Sequence, residues 1–76
     1  VPAVIGRLAE CAVAVDDVNV SRQHAEVRRG PHGFVVVDLG STNGTLVNGL
    51  RIDGERPLAD GDVISVGNTH LRFETP

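Results

Sequence analysis

Tryptophan, tyrosine and methionine are absent, and the only aromatic residues are Phe34 and Phe73. Any core the chain forms is therefore aliphatic. Lysine is absent too, so all seven basic residues are arginine. A GC-rich genome accounts for that bias, and the bias also supplies planar forks able to hold phosphate or carboxylate at two points. Cys11 is the single cysteine, which excludes an internal disulfide and agrees with a cytoplasmic setting. With Ala12, Val13 and Ala14 beside it and no second thiol nearby, Cys11 reads as a small buried hydrophobe, not a reactive or metal-binding group. No apolar run approaches a membrane span in length, and no basic-then-apolar start resembles a signal peptide. An excess of positive charge is also missing. The net charge of −3 argues against a general nucleic-acid or membrane-surface role.

What remains is ordinary globular material: 76 residues, 41% apolar and 22% charged, enough for one domain with a thin core. Val1 to Ile5 reads as a strand whose beginning Pro2 confines to an edge. Gly6-Arg7 ends it, and Leu8 to Cys11 follows as a loop or a single helical turn. Val13-Ala14-Val15 is a short strand closed by Asp16-Asp17, read as a solvated turn. Ala25 to Arg29 alternates apolar and polar, as a strand with one buried face does. Gly30-Pro31-His32-Gly33 is a turn. Phe34 to Val37 is continuously apolar, as a strand covered on both faces would be. Asn48-Gly49 lies between apolar pairs and predicts a type I′ hairpin, which needs positive φ at both central residues. Asp53-Gly54 and Asp60-Gly61 are further turns, with Pro57-Leu58 in the connection between them. Asp62 to Val66 and His70 to Phe73 are the closing strands, joined at Gly67-Asn68-Thr69. Short strands at this spacing, without sustained helical periodicity, predict an antiparallel β-sandwich or barrel.

Two polar clusters interrupt the strands: Val20-Ser21-Arg22-Gln23-His24-Ala25-Glu26 and Gly40-Ser41-Thr42-Asn43-Gly44-Thr45. Donor-rich loops at strand ends are where a rigid β scaffold displays a binding site. A phosphorylated side chain carries nearly two negative charges and three strong acceptor oxygens. It calls for arginine forks and for short hydroxyls that bring a donor close. With Gly6-Arg7, these loops are expected to converge on one such anion. A Ser21–His24–Asp38 hydrolase is the catalytic alternative, but no nucleophile elbow surrounds Ser21, and a domain this small has little room for a cleft. His24, His32 and His70 are too scattered for a zinc site, and His32 sits in an exposed turn. No metal, cofactor or enzymatic activity is expected.

The clusters, taken with Ile5-Gly6-Arg7, Asp16-Asp17, Asp38-Leu39, Val47-Asn48-Gly49 and Leu58-Ala59-Asp60-Gly61-Asp62, resemble a forkhead-associated (FHA) domain in order and spacing over nearly the whole chain. The resemblance implies an all-β sandwich whose loops at one end bind phosphothreonine peptides. Carried over by position, it implies that Arg7, Ser21, Arg22 and Thr42 contact the phosphate. It implies further that Asn43 grips the peptide backbone beside it. The resemblance assigns Ser21 its hydroxyl and also its backbone N–H as phosphate donors. His24 corresponds to a structural histidine that ties the two loops together, and Gly6 and Gly44 to backbone requirements. The partner implied is a phosphothreonine-bearing protein, a substrate of a Ser/Thr kinase or the autophosphorylated kinase itself, in bacterial signalling. No nucleic acid or membrane insertion is implied. The alternative is a phospho-independent interaction or self-association module on the same scaffold.

The sequence departs from the family at Ala12, where an acidic residue is common, and at Val18, where proline is frequent. The family also carries a strand before the one ending in Gly-Arg. Here only five residues precede Gly6, so the sandwich is expected to lack that first strand and to expose an edge and some core. Residues 1–76 are accordingly expected to be one domain, either excised from a longer protein or with that edge covered by a neighbouring molecule.

Overall fold

A computed structural model describes residues 2–75. Among the described residues nine strands form two sheets: β1 (Ala3–Gly6), β2 (Val13–Ala14), β3 (Ala25–Gly30), β4 (Gly33–Asp38), β5 (Thr45–Val47), β6 (Leu50–Arg51), β7 (Glu55–Pro57), β8 (Val63–Val66) and β9 (Thr69–Arg72). The first sheet runs β2-β1-β3-β4-β7 and the second β6-β5-β8-β9. The expected all-β sandwich is what the chain forms. Its pairings are antiparallel except one, since β1 and β2 run parallel, with Ile5 opposite Val13.

Registry explains which residues meet between the sheets. Ala3, Val27, Val36 and Arg56 lie in one cross-strand row of the first sheet, and Val47, Ile64 and Leu71 in one row of the second. Ile5, Ala25 and Val36 are buried from one side, and Val47, Ile64 and Val66 from the other. Val15 and Val20, both from connecting segments, complete an aliphatic core. Each of the valines and isoleucines contributes roughly 1.5–3 kcal/mol when fully buried. Phe34 and Phe73 pair at 5.6 Å between ring centres beside the β3–β4 hairpin, at the opposite end from the polar loops.

Three sequence expectations are corrected. Glu55–Pro57 is a strand, not a connection, and it closes the outer edge of β4. Its proline is tolerated because an edge strand need not donate on its outer side. Leu8 to Cys11 is a loop, one of the two forms expected, with a turn closed by Cys11 N–H to Leu8 C=O at 3.1 Å. Cys11 is half-buried, and its thiol donates to the Arg22 carbonyl at 3.4 Å. Of Phe34 to Val37, only Val36 is fully buried, because the outer face of β4 carries no covering layer. The Asn48-Gly49 turn does have positive φ at both residues, 52° and 83°.

The second sheet ends at β9, which pairs only with β8 among the described residues. Beside it an apolar cleft of about 280 Å³ opens between Ala3, Ile5 and Val27 on one sheet and Ile64, Leu71 and Phe73 on the other. No helix among the described residues is long and apolar enough to cross a membrane.

Candidate functional site

The end of β1, the segment before β3, the β4–β5 connection and the β8–β9 turn meet at one end of the sandwich. Backbone bonds set the first junction. Arg7 N–H donates to Ser21 C=O at 3.1 Å, and His24 N–H donates to Ile5 C=O at 2.8 Å. These bonds press Gly6 against the neighbouring segment: a Cβ there would lie 2.1 Å from the Arg22 carbonyl oxygen. Only glycine fits.

His24 forms the second junction. It is fully buried, the largest side chain to be so. Nδ1 lies 3.0 Å from Ser21 N, which can only donate, so Nδ1 accepts. Nε2 therefore carries the proton and donates to Gly44 C=O at 2.7 Å. Gly44 has φ of 82°, and a Cβ on it would meet the Arg51 guanidinium at 2.7 Å. The ring thus spans the two polar loops from inside, with both nitrogens satisfied by backbone. Neither touches the Ser21 hydroxyl or the Asp38 carboxylate, so the hydrolase arrangement is not formed.

Three further bonds tie the loops together near the surface. Thr42 N–H donates to Ser21 Oγ at 3.1 Å. Asn43 Nδ2 donates to Asn19 C=O at 2.8 Å. Leu39 N–H donates to His24 C=O at 2.9 Å. Ser21 Oγ accepts from Thr42, and its own hydrogen has no protein acceptor among the described residues. Ser21 N–H is different: it is committed to His24 and unavailable to a ligand, which removes the expected backbone donor.

Arg7 and Arg22 are both exposed. Arg7 Nε donates to Val20 C=O at 3.0 Å, which leaves its terminal nitrogens without a protein partner among the described residues. Among those residues, ion pairs are found only between Arg28 and the carboxylates of Glu26 and Glu55. Two guanidinium groups without counter-charges, two hydroxyls and one carboxamide therefore share this end. No cluster of three or more metal-ligating side chains occurs among the described residues.

Sequence reasoning named Asp38 but missed that it shapes the β4–β5 loop. Asp38 Oδ2 accepts Gly40 N–H and Ser41 N–H, both at 3.0 Å, while Oδ1 accepts the hydroxyls of Ser41 and Thr45. Partial burial pushes the Asp38 carboxyl up, but these donors, the Ser41 hydroxyl foremost, outweigh it and hold the group below its ordinary range. Asp-x-Gly-Ser was the available signal, since aspartate bonds backbone two and three residues on in an Asx turn. Asp17 opens a surface turn, as read, but its carboxylate is also a clip between two loops.

Comparison with known proteins adds an independent line. The family model described as "FHA domain" matches residues 3–67. The chain is 47% identical over 68 residues to an oxoglutarate dehydrogenase inhibitor of Corynebacterium diphtheriae, covering 90% of this chain and 47% of that protein. It is 46% identical over 70 residues to the glycogen accumulation regulator GarA of Mycobacterium tuberculosis, covering 92% of this chain and 43% of GarA. The chain thus spans less than half the length of these relatives. Among solved structures, one from work on phosphothreonine-dependent FHA domain interactions superposes with a TM-score of 0.90 at 37% identity, covering 99% of this chain and 77% of that one. Mycobacterium tuberculosis EmbR, solved with a low-affinity phosphopeptide, superposes with a TM-score of 0.89 at 36% identity, covering 96% of this chain and 19% of that one.

Proposed function

Because this chain belongs to the FHA domain family, we propose that it is a non-catalytic module that binds a phosphothreonine peptide on a partner protein in Ser/Thr kinase signalling. The observation that carries this reading is the pair of exposed guanidinium groups, Arg7 and Arg22, lacking carboxylate partners beside the free hydroxyl hydrogens of Ser21 and Thr42. In this reading those four side chains hold the phosphate, and Asn43 offers its remaining N–H and its Oδ1 to the peptide backbone. His24, Gly6 and Gly44 support the loops from behind. Relatives named as a regulator and an inhibitor agree with a binding role. We read residues 1–76 as one such module, working in the cytoplasm as part of a longer protein.

Magnitudes fit a reversible switch. Charge-assisted hydrogen bonds contribute about 1.5–3 kcal/mol each. Three or four of them, less the ordering of a flexible peptide, leave affinity near the micromolar range, about 8 kcal/mol. The extra methyl of threonine over serine is worth about 0.8 kcal/mol if buried, so stronger discrimination needs the pocket to fix the β-branched rotamer as well. Calorimetric titration with one peptide in phosphothreonine, phosphoserine and unmodified forms tests the reading. Heat with the phosphothreonine form that vanishes on dephosphorylation is expected. Equal heat from the unmodified peptide would overturn it.

A further inference from the structure

Asp17 faces no ligand in the arrangement above, yet it holds the segment on which two ligand-facing side chains depend. Its Oδ1 accepts Asn19 N–H at 2.9 Å. Its Oδ2 accepts Asn68 N–H and the Thr69 hydroxyl, both at 2.8 Å, and these donors belong to the β8–β9 turn. The Asp17 carbonyl accepts Val20 N–H at 3.0 Å. The turn is pressed against this segment, since a Cβ on Gly67 would lie 3.0 Å from Asn19 C, Asp17 Oδ2 and Val20 Cγ2 alike. The carbonyls of Asn19 and Val20 then each hold one side chain. Asn19 C=O receives Asn43 Nδ2 at 2.8 Å, and Val20 C=O receives Arg7 Nε at 3.0 Å.

From this chain of bonds we infer that Asp17 is a positioning residue for phosphopeptide recognition, acting through the Asn19 and Val20 carbonyls on Asn43 and Arg7. The inference rests on the phosphopeptide reading of the site. Its physical basis is pre-organisation: a carboxamide and a guanidinium already held in place lose less freedom when the ligand arrives. Exposed loops lack the packing that fixes core side chains, so an anchor running back to the β8–β9 turn supplies it. The carboxylate is well suited to the task. The Asn19 N–H, then the Thr69 hydroxyl and the Asn68 N–H, hold its pKa below the ordinary range, so it stays an acceptor for all three donors at neutral pH.

A double-mutant cycle read by phosphopeptide affinity tests this against a purely structural role. Asp17→Ala is expected to weaken binding about threefold to tenfold, and Asp17→Asn, which keeps one acceptor oxygen, by less. In an Asn43→Ala background the cost of Asp17→Ala is expected to fall by at least half, because part of its action runs through Asn43. The Asn43 side-chain amide signals in NMR should shift in Asp17→Ala while the core methyl signals stay put. Should Asp17→Ala unfold the domain, Thr69→Val, which removes one donor to the same carboxylate, repeats the cycle in milder form. Unchanged affinity, or a cost that is the same with and without Asn43, overturns the inference. An unaltered chain that binds no phosphopeptide overturns the function proposed above instead, so the two failures are distinguishable.

Discussion

The Nε2–H of His24 meets the Gly44 carbonyl at 2.7 Å inside the domain, with no solvent contact on the ring. This one contact joins the segment before β3 to the loop before β5, twenty residues later. The other ring nitrogen holds Ser21 in place at the same time.

Replacing His24 with alanine leaves a cavity and two buried backbone groups without partners. The expected loss is about 2–4 kcal/mol. For a domain of this size that lowers the melting temperature by about 10 °C or more. Phosphopeptide affinity should fall with it, because the loops lose their common brace. Calorimetric melting and titration on the same sample check both halves. A variant that keeps its stability but loses binding would place His24 in contact with the ligand instead.

Arg7→Ala and Ser21→Ala should behave the opposite way. Both side chains lie at the surface end of the site, and the Thr42 N–H released by Ser21→Ala can be solvated by water. Affinity is expected to drop at least about tenfold for each, the worth of one charge-assisted bond. The melting temperature should stay within a few degrees. A variant that unfolds would show its residue to be structural.

Binding should weaken as pH falls through about 6, where the dianion of a phosphate monoester takes up one proton and loses half its charge. Titrations at half-unit steps from pH 7.5 to 5 measure this directly. A flat profile would contradict a site that selects the dianion.

Stability should follow a different and lower window. Asp38 has a folded pKa below its ordinary value, so the unfolded chain binds the proton more readily. By linkage its contribution is complete above the unfolded pKa and is lost as pH falls through the folded one. The melting temperature is therefore expected to hold near neutrality and to decline below about pH 4, the ordinary aspartate range. Asp38→Asn should be less stable at pH 7 and show a shallower decline in acid. An acid profile identical to that of the unaltered chain would remove Asp38 from this role.

The sequence by itself determined the strand-by-strand alternation, the hairpin at Asn48-Gly49 and the two donor-rich loops, because each depends on residues adjacent in the chain. It carried the family pattern for the same reason. Tertiary structure alone decided that Glu55–Pro57 is an edge strand, since three residues ending in proline hold no period of their own and need β4 to pair with. It alone decided that the Ser21 N–H is taken up inside the protein, because the claim on that N–H comes from the buried ring of His24. And it alone linked Asp17 to Asn68 and Thr69, 51 and 52 residues further along the chain. A carboxylate's partners across such a separation are set by how two sheets pack, and no local pattern records that.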